Sequence, residues 1–229
     1  GTTPAAGSRR GINRVAWPMR LKPPRVPRAP TLDTGALFGP MAPEGVYSAR
    51  ILKGEETYSA RVVLAGDPAS PHNQQDRKLQ QSTVMKLYRA LERLAFVSAA
   101  VVEARDQAQD RAKSLDKQEE LYKTLDAYRT KLDTVNKTLV ASREGGAITG
   151  EMRLREQLGE LYGEISRYAG RPTQSQLDRV GVLEQEVEKA NAAAEPLLGA
   201  ERDGLNAALA ARQLKPIARL TQEQFEKRP

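Results

Sequence analysis

The chain of 229 residues, 25.2 kDa, is long enough for one sizeable core or two small ones. It contains no cysteine, which excludes disulfides, thiolate catalysis and sulfur-bound metal. Net charge is +7, but the excess is local: residues 1–70 carry ten Lys/Arg against five Asp/Glu, and residues 71–229 carry 26 against 24. No apolar run approaches the roughly 20 residues needed to span a bilayer. Ten of the fourteen prolines precede residue 75, so a proline-punctuated front and a helical back are expected.

Residues 1–10 read as a linker, small and polar with a Gly-Ser-Arg-Arg turn. The chain opens on Gly1 rather than Met and shows no signal peptide, the pattern of a processed or partial polypeptide. Residues 11–17 alternate apolar with polar around Ile12 and predict a strand that must pair with others. Residues 18–43 hold Pro18, Pro23, Pro24, Pro27, Pro30, Pro40 and Pro43 and predict an extended arm of polyproline type. Two further strands, residues 45–52 and 57–64, flank Lys53-Gly54-Glu55-Glu56 and predict a hairpin with a loop of about four residues. Three strands make a thin sheet, marginal by itself in water. Its missing strands come from elsewhere, or its open face lies on the helices.

Four helical seams follow. The first runs from about 73 to 113 through Leu87, Leu91, Leu94 and Val101. The clearest is the second, Leu121, Leu125, Tyr128, Leu132, Val135 and Leu139, stepping by three and four residues, with Ser114 as its expected cap and Gly145-Gly146 as its stop. The third starts at a Thr149 cap and carries Leu154, Leu158, Leu161, Ile165 and Tyr168 to Gly170-Arg171-Pro172. The fourth opens on a Thr173/Gln176 capping box, carries Leu177, Val180, Leu183, Val187 and Leu197, and has Pro196 as its kink. Short connections between four seams point to an up-down-up-down bundle over about residues 73–217, with 218–229 as a tail. The alternative is a coiled-coil hairpin that dimerises through the same seams. The fold class is therefore α+β: a small, incomplete antiparallel sheet over residues 11–66 followed by a four-helix bundle.

Candidate chemistry is sparse. His72 is the sole histidine, with no second His or Cys to complete a site. Glu119-Glu120 and Glu184, Glu186 and Glu188 lie on helix faces among Lys and Arg, and read as charge-balanced surface rather than an acid/base pair. The glycine-rich stretch at 145–150 precedes a helix but lacks the strand and lysine of a phosphate loop. Tyr122, Tyr128, Tyr162 and Tyr168 fall at helical spacing and read as core-edge residues. No catalytic, metal or cofactor site is expected. The one charged feature is the acid-free run Arg9, Arg10, Arg14, Arg20, Lys22, Arg25 and Arg28. Such a run can contact an anionic polymer or surface, but prolines rather than stacking aromatics separate its members, which disfavours nucleic acid and makes a solvated, packing arm the plainer reading.

The order of these features resembles a known family. Gly11-Ile12-Asn13-Arg14-Val15-Ala16-Trp17, a proline-rich arm, and then Pro43-Glu44-Gly45-Val46-Tyr47-Ser48-Ala49-Arg50-Ile51 resemble the Ig-like β-sandwich motif G-x-N-x-x-x-W … P-G-x-Y-x-x-x-L. That motif follows the propeller of large bacterial sortilin-like proteins, often labelled glycosyl hydrolases for their neuraminidase-type repeats. The likeness continues through Asp67-Pro68, Leu158-Gly159-Glu160-Leu161-Tyr162, Arg171-Pro172-Thr173, Leu205-Asn206-Ala207-Ala208-Leu209 and Leu214-Lys215-Pro216-Ile217. Glu44 displaces the usual glycine after the proline. The resemblance implies an exported, extracytoplasmic bacterial protein whose propeller carries any ligand or hydrolase site, and it transfers no catalytic residue to this chain. Three functions are then in contention. The first is a non-catalytic accessory module bound to an upstream propeller or another subunit, with oligomerisation through the seams as a further option. The second is a part of a glycoside-processing enzyme, and the third is an anionic-surface binder.

Overall fold

A computed structural model describes residues 10–31, 35–143 and 150–228. The fold is α+β, an antiparallel sheet followed by a helical bundle. Most of the 1–10 linker, the Gly145-Gly146 stop and the Thr149 cap lie outside the described residues.

The longest element is α1 (Gln74–Ala112), 39 residues begun by Asn73, whose side-chain oxygen accepts the Asp76 N–H. The expected seam residues Leu87, Leu91, Leu94 and Val101 are all fully buried. Second is α2 (Glu120–Leu139), which buries Leu125, Tyr128, Leu132 and Leu139. It starts six residues after the expected Ser114 cap, because that hydroxyl instead donates back to the Arg111 carbonyl and prolongs the first helix's last turn. α3 (Leu154–Arg167) buries Leu154, Leu158, Leu161 and Ile165, while Tyr168, expected on its seam, lies just past the end and is exposed. α4 (Gln174–Pro196) opens on the expected reciprocal box between Thr173 and Gln176. Pro196, the expected kink, itself keeps helical angles (φ −60°, ψ −37°). The break comes in a π-helical turn, Leu197–Glu201, where Gly199 leaves helical geometry (φ −108°, ψ −106°) before α5 (Arg202–Ala211) begins. A short α6 (Gln222–Glu226) ends the chain.

The four principal helices stand as three rods. Bonds between Ser98 and Asn136 and between Arg105 and Asp133 set α2 antiparallel against the upper half of α1. Gln80 donates to the Ile165 carbonyl at 2.8 Å, which puts the end of α3 beside the start of α1. The pairs Asp76–Arg171 and Arg93–Glu188 keep a constant separation in sequence, so α4 runs parallel to α1. The path is thus up along α1, down along α2 and then α3 in tandem, and up again along α4 and α5. The tandem arises because a stretch of 14 residues, 140–153, joins α2 to α3 instead of a tight reversal.

The proline arm straps this bundle. Arg155, on α3 and almost fully buried, donates to the Pro27 carbonyl (2.8 Å), the Thr31 hydroxyl (2.9 Å) and the Thr31 carbonyl (3.1 Å), and is paired with Glu156 at 2.6 Å. Beyond it, Gly35 crosses α3 at Gly159 and Gly163. A Cβ on Gly35 would lie 1.9 Å from the Gly159 carbonyl oxygen, and one on Gly163 would lie 2.8 Å from the Gly35 Cα, so the crossing requires glycine on both sides.

In the sheet, β1 (Gly45–Lys53) pairs with β2 (Glu56–Leu64) through nine rungs, and among the described residues it holds these two strands alone. Lys53 pairs with Glu56, so the loop is two residues rather than about four, with Gly54 at φ +61° in its first position as a tight hairpin requires. Residues 11–17 form no strand here. The chain is bent just after them, where Pro18 lacks an N–H and Met19 takes φ +54°, and only past that bend does it pair, in the isolated bridge Arg20↔Met41.

The strap yields a test. Arg155→Ala leaves Glu156 and two arm carbonyls without their partner in a closed environment, and should destabilise the chain by about 3–5 kcal/mol. A urea melt followed by circular dichroism gives the value; a loss under about 1 kcal/mol would mean the arm is not fastened there.

Candidate docking surface

The strand register sorts the hairpin's side chains onto two unlike faces, because neighbours along a strand point oppositely. One face carries the rungs Tyr47–Val62, Ala49–Ala60 and Ile51–Tyr58, with Leu64 at its base, and holds no charge until Lys53–Glu56 at the tip. The other carries Ser48–Arg61 and Arg50–Ser59 at its centre, between the exposed Val46–Val63 rung and Leu52–Thr57. Such alternation is the pattern of a sheet with one side packed and one side wet. Yet Ile51 is 66% exposed and Tyr58 52% exposed. Only the base of the apolar face is covered, where the Trp17 ring meets Tyr47 edge-on with centroids 5.4 Å apart. The Trp17 indole N–H is buried there without an acceptor.

Contacts at the root fix the ribbon to the body. The Tyr47 hydroxyl donates to the Pro43 carbonyl at 2.5 Å. Glu44 pairs with Arg77 of α1 at 2.5 Å, and that hydrogen bond holds the Glu44 carboxyl below its usual 4.5. The Arg77 guanidinium also donates to the His72 carbonyl, tying the ribbon's root to the start of the bundle.

The basic run does not converge on a site. Arg9 lies outside the described residues. Arg10, Arg14, Lys22 and Arg28 are exposed. Arg20 donates to the Gly39 carbonyl (2.8 Å) and lies 5.6 Å from the Phe38 ring centre. Arg25 donates to the carbonyls of Phe225 (3.2 Å) and Glu226 (2.6 Å), stacks over the Phe225 ring, and presents its backbone N–H to Glu92. Two of the candidate anion contacts therefore act as internal clamps, a role the sequence did not signal because their acceptors lie up to about 200 residues away.

The other candidates are dispersed too. His72 sits edge-on to Tyr168 with centroids 5.3 Å apart. Glu119 pairs with Arg212 and Glu188 with Arg93, on separate faces. The 145–150 glycine stretch falls almost entirely outside the described residues. Among the described residues, no cluster of three or more His, Asp or Glu could hold a metal ion, and no helix is long and apolar enough to cross a membrane. Tyr128 and Tyr162 are core residues whose hydroxyls donate to the carbonyls of Leu197 (3.0 Å) and Phe38 (2.8 Å). Burial pushes Tyr128 up to about 12 and Tyr162 higher still, so neither is poised as a base. A cleft of about 440 Å³ at the turn between α1 and α2 is lined by Lys113, Lys117, Tyr122 and Arg129, but Asp110 holds Lys113 and Asp126 holds Arg129.

Comparison with known proteins found no matching family model, no matching curated protein and no matching solved structure.

The Glu44–Arg77 pair gives a pH prediction. A carboxyl lowered in the folded state contributes stability that is present above its unfolded value and lost as pH falls through the lowered one. Trp17, the sole tryptophan, reports on the ribbon root. Its fluorescence should change as pH falls below the ordinary carboxylate range, and Arg77→Gln should remove that step. An identical titration in the variant would mean that other carboxyls govern it.

Proposed function

We propose that this chain is a non-catalytic docking module, in which the helical body presents the hairpin and the hairpin's apolar face packs on a partner protein. The observation that carries this reading is the uncharged rung series from Tyr47–Val62 to Ile51–Tyr58, exposed on a ribbon rooted by Arg77. Contiguous exposed apolar surface of this kind marks interaction sites. Its size narrows the kind of partner. The uncharged rungs span five residues at about 3.3 Å, two strands wide, a footprint of roughly 160 Å². A free-standing stable complex needs about 800 Å² per partner. Surface this small serves best where the partner is tethered, since linkage supplies a high effective concentration without added contacts. The sortilin-like resemblance names a fitting partner, the upstream propeller of the same polypeptide in an extracytoplasmic setting. The enzyme reading would place its chemistry in that propeller. The anionic-surface reading is weakened by the internal engagement of Arg20 and Arg25.

The test is binding between this chain and a separately expressed propeller segment. The double variant Ile51→Lys/Tyr58→Lys should weaken capture at least tenfold with helical circular dichroism unchanged, whereas Arg10→Ala/Arg28→Ala should leave it within about twofold. Equal capture by the lysine variant and the parent chain would count against the reading.

A further inference from the structure

Residues 11–17 and the outer edge of β1 are arranged to meet. The isolated bridge Arg20↔Met41 is antiparallel, flanked by Leu21 N–H to Pro40 O and Ala42 N–H to Met19 O, both 2.8 Å. In an antiparallel pair one chain counts down as the other counts up, so continuing that bridge past a one-residue bulge carries residues 17 to 11 alongside 45 to 51, most of β1. Trp17 already lies on Tyr47, on the same side of the ribbon. β1 pairs with β2 on one side only, so alternate residues along its nine direct N–H and C=O groups outward from the sheet. Those residues include no proline, and the edge has no bulge to deflect an incoming strand. The interruption is confined to Pro18 and to Met19 at φ +54°, the local geometry of a bulge rather than of a chain end. The buried, acceptorless indole N–H of Trp17 sits at this junction.

We propose that residues 11–17 close onto the free edge of β1 as a third antiparallel strand, leaving β2 as the sheet's open edge. The face that carries Tyr47 then widens from about 10 to about 15 Å and gains Val15 beside Trp17 at its base. The structure holds residues 11–17 unpaired, so the closure is a second arrangement of the same chain that needs no partner; its bearing on docking rests on the function proposed above, where it gives the partner a broader face and one edge at which to add a strand.

The absence of cysteine makes the test clean. Ser48 and Arg61 occupy the same rung on β1 and β2, and both are exposed, as are Asn13 and Arg14. Four double variants pair Asn13→Cys or Arg14→Cys with Ser48→Cys or Arg61→Cys. Side chains on adjacent strands lie about 5 Å apart, within reach of a disulfide, and those two strands away lie about 10 Å apart, beyond it. Under mild oxidation, one of the Ser48→Cys pairs should cross-link at least tenfold faster than either Arg61→Cys pair, with circular dichroism unchanged. Equal rates, faster linkage to Arg61→Cys, or no linkage in any variant would overturn the proposal. Because no partner is present in this assay, its failure is separable from a failure of the docking reading.

Discussion

Burial of one side of α1 is the constraint on which the molecule depends. That helix buries thirteen residues against four in α2, and it contacts α2, α3 and α4 in turn. Each fully buried leucine or valine along it stabilises by about 1.5–3 kcal/mol relative to exposure. The other rods are short or broken, so none could serve as the spine: α2 and α3 share one side of α1 end to end, and α4 passes into α5 through the π-helical turn. The Tyr128 hydroxyl donates to the Leu197 carbonyl at that turn, tying α2 to it.

Four arginines fasten the irregular parts of this molecule to its body. Arg155 holds the arm from below, Arg25 ties it to the last helix, Arg20 bonds its return, and Arg77 roots the ribbon. Guanidinium suits this role, since one planar group can satisfy several carbonyls that an irregular, proline-rich backbone leaves unpaired. Two members of the basic run in the front of the chain, Arg20 and Arg25, thus have a mechanical role that needs no polyanion.

Much of the helical body was legible because its signals are local. Steps of three and four mark the α2 seam, and Thr173 with Gln176 marks the start of α4. What could not be read was anything set by distant partners. Arg155 interrupts an apolar helix face and looks out of place until Pro27 and Thr31 close over it. Gly159 and Gly163 look like weak points in a helix until Gly35 lies against them. The tandem of α2 and α3 followed from the length of a connection, and the seams alone carry no directional information. On the ribbon, alternation correctly identified β1 and β2. It failed for residues 11–17, because period-two patterning is blind to the bend that Pro18 and Met19 impose just beyond. The docking face was implicit in the sequence as a string of alternate apolar residues, but its exposure was not.

The strap has a consequence for biosynthesis. Arg25 grips carbonyls near residue 226, and the arm's other anchors lie on α3, so its docked position is defined by residues synthesised well after it. Contacts this remote in sequence are slow to form and arrive after local structure. The proline-rich arm can therefore dock only once α3 and α6 have been made, and its prolines, which supply no N–H, disfavour strand pairing in the interval.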